Sequence, residues 1–461
     1  MTARIDTPVD PVLDHVEAAL APGAFAAAWA EAWERWGGTP PPELETRAMQ
    51  VHYRPRTRSR LVFEAVVPRE DPRRKPRRHF LFVQSWADSA DWEARRAAAA
   101  GEKRPLRCQG PPTFALPGWR AVGWALPNGP RLRTLRSIFQ RKAFLRLLAR
   151  AGLPEGELER PGRPRLIRYV PRRRALFRWK ARRPGRPRLY LKLYGPGGDA
   201  EAAEHLALVA EASGSGLGFD VPELVCHAPE RRLLVMGNVP GKTFTRRLGL
   251  LEPDLFAAVG RALAGLHALR LPLGARWEPG TELRALGTAA GELALGVPAE
   301  GPALDSVVAE LRARSGPLRF PPGVPIHGKL FGDQVLLDGD RVGIVDWDDL
   351  CLGDPVYDLA RLLAHAVYVG LRDGLAADRL EPCVEALLAA YEHRTGAAVH
   401  PHRLTWHVAV GLLMRAKISA LRQLEGDWRS GIRACLREAE QVLAGNSRFL
   451  PRAGFAAGMW T

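Results

Sequence analysis

From Val324 to Ala360 the chain reads VPIHGKLFGDQVLLDGDRVGIVDWDDLCLGDPVYDLA, and nowhere else do polar residues stand at such fixed spacing between obligate strands. Val335-Leu336-Leu337 and Val342-Gly343-Ile344-Val345 are short apolar runs joined by Asp338-Gly339-Asp340-Arg341. An Asp-Gly step between such runs predicts a tight hairpin. The hairpin fixes two ends: the loop His327 to Gln334 leads into its first strand, and Asp346 emerges from its second into Trp347-Asp348-Asp349. Both ends can then face one cleft, and any chemistry of the chain is expected there.

The order of these residues resembles the signature of the aminoglycoside phosphotransferase and choline kinase group of kinase-fold enzymes. His327-Gly328, Asp346, Gly353-Asp354-Pro355 and Asp358-Leu359-Ala360 match it. The resemblance implies an α+β, two-lobed protein kinase-like fold, with a β-rich N-lobe and a helical C-lobe. It also implies ATP and Mg²⁺ as cofactors, and a small-molecule substrate phosphorylated on a hydroxyl group. Asp346 matches the metal-binding aspartate, and His327 falls in the catalytic loop. Two positions depart from the pattern. Gln334 stands where the family has its metal-binding asparagine, and it keeps an amide oxygen on a longer stem, still a suitable ligand for Mg²⁺. Lys329 stands where the family has the catalytic-loop aspartate, and a protonated ammonium cannot accept a hydroxyl proton. Asp333 or Asp348 could stand in for that base.

Upstream, Leu189-Tyr190-Leu191-Lys192-Leu193-Tyr194 reads as a strand followed by a Gly-rich turn and a helical pattern over Ala200 to Ala212. Lys192 resembles the family's phosphate-reaching lysine. Glu201 or Glu204 could form its ion pair, with Glu204 preferred. Leu233 to Gly241 resembles the strand and hinge that hold the adenine, which brings in Met236 and Asn238. The same plan occurs once before. Tyr53 to Arg58 echoes Tyr169 to Arg174, Leu81 to Trp86 echoes Leu189 to Tyr194, and Trp119 to Leu126 echoes Leu233 to Val239. We therefore expect a duplicated, degenerate N-lobe ahead of the first, in which Gln84 replaces Lys192.

The expected divisions are a helical segment over 1–46, the degenerate lobe over 47–160, the N-lobe over 161–248, the C-lobe over 249–445 and a tail over 446–461. Residues 9–36 read as helical, with Trp29, Trp33 and Trp36 on one apolar stripe, and 131–151 read as a basic amphipathic helix. Residues 275–300 carry little pattern. Helices are expected over 254–269, 357–370, 378–395, 402–424 and 430–443, and Phe449, Phe455 and Trp460 are candidates to dock the tail.

At 461 residues and 46% hydrophobic content the chain is globular, with ample core. Its net charge of +17 is carried mostly by arginine, together with many Gly, Pro and Ala residues. This looks like compositional drift as much as selection for a partner. Arginines crowd Arg163 to Arg188, yet aromatic interleaving and a reading module are both missing, which argues against nucleic acid as a partner. Five scattered cysteines suit free thiols in a reducing compartment. The first residues lack a secretory pattern and no apolar run is long enough to span a membrane, so a cytoplasmic protein without membrane contact is expected. In the helical part Arg361, Arg372, Arg403, Arg415 and Arg422 argue against a strongly cationic substrate. Two readings stay open: a phosphotransferase of small molecules, or a catalytically inactive pseudokinase serving as a nucleotide-binding or interaction module with a protein partner.

Overall fold

Alternating strands and short turns build two sheets in the first part of the chain, and helices dominate the rest. The computed structural model describes residues 10–451 apart from 42, 69–75, 101–107, 109, 130–131, 133, 154–161, 171–172, 181–187, 213–217 and 322. Two compact units emerge, one comprising Met1–Asp199, Cys226–Val235 and Arg422–Leu424, the other Ala200–Val225, Met236–Leu421 and Glu425–Thr461.

The first unit opens with helices α1 (Pro11–Leu20) and α2 (Ala24–Arg35). The sequence predicts helix throughout 9–36; the chain instead breaks between them at Pro22-Gly23, where Gly23 takes a left-handed φ of 75°. Asp10 caps α1 by accepting from the backbone N–H groups of Val12 and Leu13. Trp29 and Trp33 are buried as expected, whereas Trp36 is 55% exposed.

The first sheet has strands β1 (Glu45–Arg54), β2 (Arg58–Val67), β3 (Arg77–Trp86), β4 (Thr113–Leu116) and β5 (Ala121–Ala125), with helix α3 (Ser89–Ala100) after β3. Its order is β1-β2-β3-β5-β4. Side chains alternate between faces along each strand. The face carrying Phe63 receives α2, with the Phe25 and Phe63 rings stacked at 3.7 Å. The register His52↔Arg60↔Gln84 puts those three side chains on the other face. Helices α4 (Leu135–Phe139) and α5 (Arg141–Arg150) follow, broken at Gln140, whose extended ψ of 109° interrupts the single helix expected there.

The second sheet comprises β6 (Arg165–Val170), β7 (Arg174–Trp179), β8 (Leu189–Tyr194), β9 (Leu224–Ala228) and β10 (Leu233–Met236), in the order β6-β7-β8-β10-β9. Phe139 and Phe144 meet Phe177 and Trp179 edge-on, so α4 and α5 pack on β7. The two sheets agree in detail. Trp86 N–H donates to the Arg120 carbonyl at 3.3 Å, as Tyr194 N–H does to Arg232 at 2.9 Å. Arg120 and Arg232 both take left-handed φ after a single 3₁₀ turn, and β1 and β6 both carry a bulge. This register sets Gln84 against Lys192 and His52 against Arg168. It also shifts one expected echo, aligning Ala121 rather than Trp119 with Leu233.

In the second unit lie α6 (Asp199–Ala212, from its second residue), α7 (Pro253–His267), α8 (Pro279–Gly296), α9 (Gly301–Ser315), α10 (Pro355–Asp373), α11 (Ala377–Thr395), α12 (Pro401–Arg415) and α13 (Trp428–Leu443). Helix α12 runs directly into a π-helical turn over Ala416–Leu421. Helices α7 and α11 approach so closely that a Cβ on Gly260 would lie 2.2 Å from the Leu387 carbonyl oxygen. Helix α8 covers most of the weakly patterned stretch 275–300. The buried face of α8 is Glu282, Leu286, Ala289, Ala290 and Leu293, too rich in alanine and too interrupted by charge to be read as an apolar stripe. Phe449 is buried, while Phe455 and Trp460 fall outside the described residues. All five cysteines are free, and no described helix is long and apolar enough to cross a membrane.

Candidate functional site

The predicted hairpin forms as β13 (Val335–Asp338) and β14 (Arg341–Ile344), preceded by β11 (Lys242–Thr243) and β12 (Val324–Ile326) and followed by β15 (Cys351–Gly353). Strand β12 pairs with β15, which closes the segment 327–350 into one loop system. Strand β11 pairs with β13, so the chain through Met236 and Asn238, both half-buried, leads onto the hairpin.

A buried carboxylate organises the loop. Asp358, in the first turn of α10 and fully buried, accepts from the His327 N–H at 2.6 Å and the Gly328 N–H at 3.2 Å. His267 Nε2 lies 3.4 Å from the same carboxylate, and its Nδ1 lies 2.9 Å from the Tyr391 hydroxyl. His327 is itself fully buried, with Nε2 3.1 Å from the Val345 carbonyl and its ring 5.0 Å from that of Trp347. Gly328 has φ 75°, and a Cβ there would come within 2.0 Å of the Asp349 carbonyl oxygen. Only glycine allows this approach.

Lys329 follows, and its Nζ lies 3.2 Å from Asp349 Oδ2, both side chains being nearly half exposed. Asp349 was not among the candidates named from sequence. Asp333 is exposed on the 3₁₀ turn Gly332–Gln334. Gln334 accepts the Phe331 N–H at its Oε1, 2.8 Å away, and donates from Nε2 to Asp346 Oδ2 at 3.3 Å. A donor on one side and a carboxylate on the other fix which way the amide points. Gln334 therefore turns its N–H toward Asp346, and its oxygen away. Asp346 sits in the left-handed region at φ 73°, an uncommon conformation for a residue other than glycine that Asp tolerates better than most.

The Gly353-Asp354-Pro355 segment serves the fold. Asp354 caps α10 and is held by His407 Nε2 at 3.1 Å and Arg403 at 3.0 Å. Burial opposes its ionised form, but the His407 hydrogen bond and the charges of His407 and Arg403 keep its pKa below the usual value. Arg361 is buried against Glu282 and over the Tyr357 ring. Arg361 and Arg403 are thus neutralised inside the helical body instead of lining a substrate surface, because each found a buried acid that the sequence does not pair with it. Arg372 lies with Asp373 and Glu425.

Lys192 lies on β8 in the other compact unit, 6% exposed, with Nζ 5.2 Å from the centroid of the Tyr194 ring. Glu201 and Glu204 are exposed on α6, whose buried face instead carries His205, bonded to the Trp347 carbonyl at 3.2 Å. Among the described residues no cluster of three or more His, Cys, Asp or Glu side chains could hold a metal by itself.

Solved structures similar to this chain include a choline/ethanolamine kinase family protein from Mesorhizobium loti, at 18% identity over 68% of this chain and 100% of that one, TM-score 0.44. Choline kinase LicA from Streptococcus pneumoniae is 14% identical over 64% and 98%, TM-score 0.46. Macrolide 2'-phosphotransferase MphH from Brachybacterium faecium is 20% identical over 64% and 97%, TM-score 0.41. No curated protein sequence matches. The model of the phosphotransferase enzyme family (APH) matches residues 171–404, just over half of the 461, and takes in β7, β8, the hairpin and α10. With its α+β, protein kinase-like fold, this chain belongs to the phosphotransferase enzyme family.

Proposed function

We propose that the protein is an ATP-dependent phosphotransferase acting on a hydroxyl group of a small molecule, in which Lys329 and Asp349 together replace the single carboxylate of the family's loop. The observation that carries this reading is the 3.2 Å pair between them. Its backbone frame is set by Asp358 and Gly328, so a carboxylate is present at the loop although residue 329 is a cation. Phosphoryl transfer depends mainly on positioning and on charge stabilisation, and the group facing the hydroxyl needs only modest basicity. Asp349 would orient the acceptor hydroxyl and take its proton, while Lys329 would offset charge on the transferred phosphoryl group. His327, with its ring buried, would position the loop rather than touch substrate. Lys192 would bind the nucleotide phosphates, and Met236 and Asn238 would flank the adenine.

A divalent cation such as Mg²⁺ suits the carboxylate of Asp346. Gln334 as it stands presents N–H there, and its oxygen would become a ligand only after the amide turns from Phe331. When bound, such a cation would offset charge on the nucleotide phosphates. The same Gln334 orientation favours a second reading, a pseudokinase that binds nucleotide weakly and transfers nothing.

ADP release with a panel of hydroxyl compounds, beside ATP affinity with and without Mg²⁺, separates the two. Asp349→Asn should lower turnover roughly a hundredfold with ATP affinity held. Unchanged turnover would remove Asp349 from the chemistry. Lys329→Asp replaces an ion pair by two carboxylates, so the swap Lys329→Asp/Asp349→Lys is the fairer restoration of the family's arrangement. Activity gained by that swap in an otherwise inert protein would favour the pseudokinase.

A further inference from the structure

Arg415 ends α12 where the helix passes into the π-helical turn, a local geometry often found at functional sites. Its guanidinium carbon lies 4.7 Å from the ring centroid of Phe331 and 5.5 Å from that of Tyr368. Phe331 belongs to the loop between Lys329 and Gln334, so this cation borders the candidate site. Arg361 and Arg372 on the neighbouring α10, and Arg403 on α12 itself, each have a carboxylate within reach. Arg415 makes no hydrogen bond or ion pair among the described residues, and its Nε is buried with no acceptor. The nearest acids are otherwise placed. Glu425 accepts from the Tyr368 hydroxyl at 3.1 Å and lies 3.4 Å from Arg372, and Asp333 is exposed on the loop. His365 stands close by, 2.9 Å from the Thr245 hydroxyl, with its pKa held well below the usual value by burial and by the charges of Arg415 and Arg372. It adds no second cation.

A guanidinium packed on aromatic faces is fixed in position, but ring contact does not satisfy its N–H donors. A bidentate oxyanion does.

We propose that Arg415 forms an oxyanion subsite beside the loop, and that the acceptor molecule carries a carboxylate or phosphoryl group in addition to its hydroxyl. This deepens the phosphotransferase reading and rests on it for the word acceptor, though the anion subsite itself does not. An amine-bearing substrate would meet the wrong charge here, whereas an anionic one would be held at its far end while its hydroxyl reaches Asp349.

Inorganic phosphate is the probe, titrated into the full-length protein by calorimetry. Arg415→Gln should weaken its binding roughly tenfold or more, and Arg415→Lys should do so less, since the charge survives without the fork. A melting curve checks that each variant is folded. The wild type offers a second measure that needs no variant: phosphate should protect Arg415 from phenylglyoxal, read by peptide mapping. Binding that is equal in wild type and folded Arg415→Gln, or modification of Arg415 unaffected by phosphate, would overturn the subsite. Displacement of phosphate by a non-hydrolysable ATP analogue would assign the anion to the nucleotide and overturn the acceptor claim. Arg415-dependent phosphate binding in a protein that binds no nucleotide would uphold the subsite while removing the phosphotransferase reading.

Discussion

The two five-stranded sheets share strand order, bulge, 3₁₀ turn and left-handed arginine corner, yet differ in one row of side chains. In the second sheet Lys192 lies beside Leu176. In the first, the matching Gln84 lies beside Arg60, with His52 beyond. The backbone accepts either row because its hydrogen bonds and the opposite face, packed under α2, do not involve these side chains. We propose that the first sheet is a degenerate copy of the second, retained for its packing. On that reading the second sheet would bind phosphate and the first would be mute, with nearly every main-chain feature shared and the difference confined to one row of side chains.

The comparison breaks most visibly if the first sheet is given the second sheet's lysine. Gln84 is 1% exposed, and Gln84→Lys would bury an ammonium beside Arg60, costing roughly 2–4 kcal/mol. Urea denaturation measures it. A stable Gln84→Lys protein that gained a second nucleotide site would show the first sheet to be a silenced reader instead of a mute one.

The next effect is on binding. Lys192→Met should weaken ATP roughly ten- to a hundredfold through loss of a charge-assisted contact. Gln84→Met should leave it unchanged, and removes a buried Nε2 that has no partner. Equal losses at the two positions would erase the distinction.

The smallest effect is one of pH. His52 is pushed down to about 4 by burial first, then by Arg168, Arg60, Arg422 and Arg173. Its counterpart in the second sheet, Arg168, does not titrate. Because the folded pKa lies below the unfolded value, the unfolded chain takes up the proton first. The contribution of neutral His52 is therefore intact above about pH 6.5, falls as pH drops toward 4, and is constant below that. About 2 kcal/mol is expected after allowing for partial exposure. His52→Gln should flatten the stability profile between those pH values; an unaltered slope would locate the acid sensitivity in other histidines.

Much of this was legible in the chain. The hairpin, the loop between His327 and Gln334, and the echo of one sheet in the other rest on local spacing and alternation, which survive folding unchanged. What stayed hidden depends on partners distant in sequence. Asp349 meets Lys329 only because Gly328 lets the loop close on its carbonyl. Arg361 and Arg403 look solvent-facing until Glu282 and Asp354 come to them. The break at Pro22-Gly23 was readable as a turn signal; the helical spacing of Trp29, Trp33 and Trp36 lies wholly after it and says nothing of the residues before it. The orientation of Gln334 follows from a backbone N–H that no sequence pattern advertises.

The left-handed glycine at 328 has one more consequence. Asp358 grips the main chain of His327 and Gly328, and the glycine seats it under Asp349, so these backbone holds do not run through the side chain of residue 329. Position 329 is a socket. An acid could take the place of the base there without loosening the bonds from Asp358, so the charge at the mouth of the loop is set separately from its backbone frame.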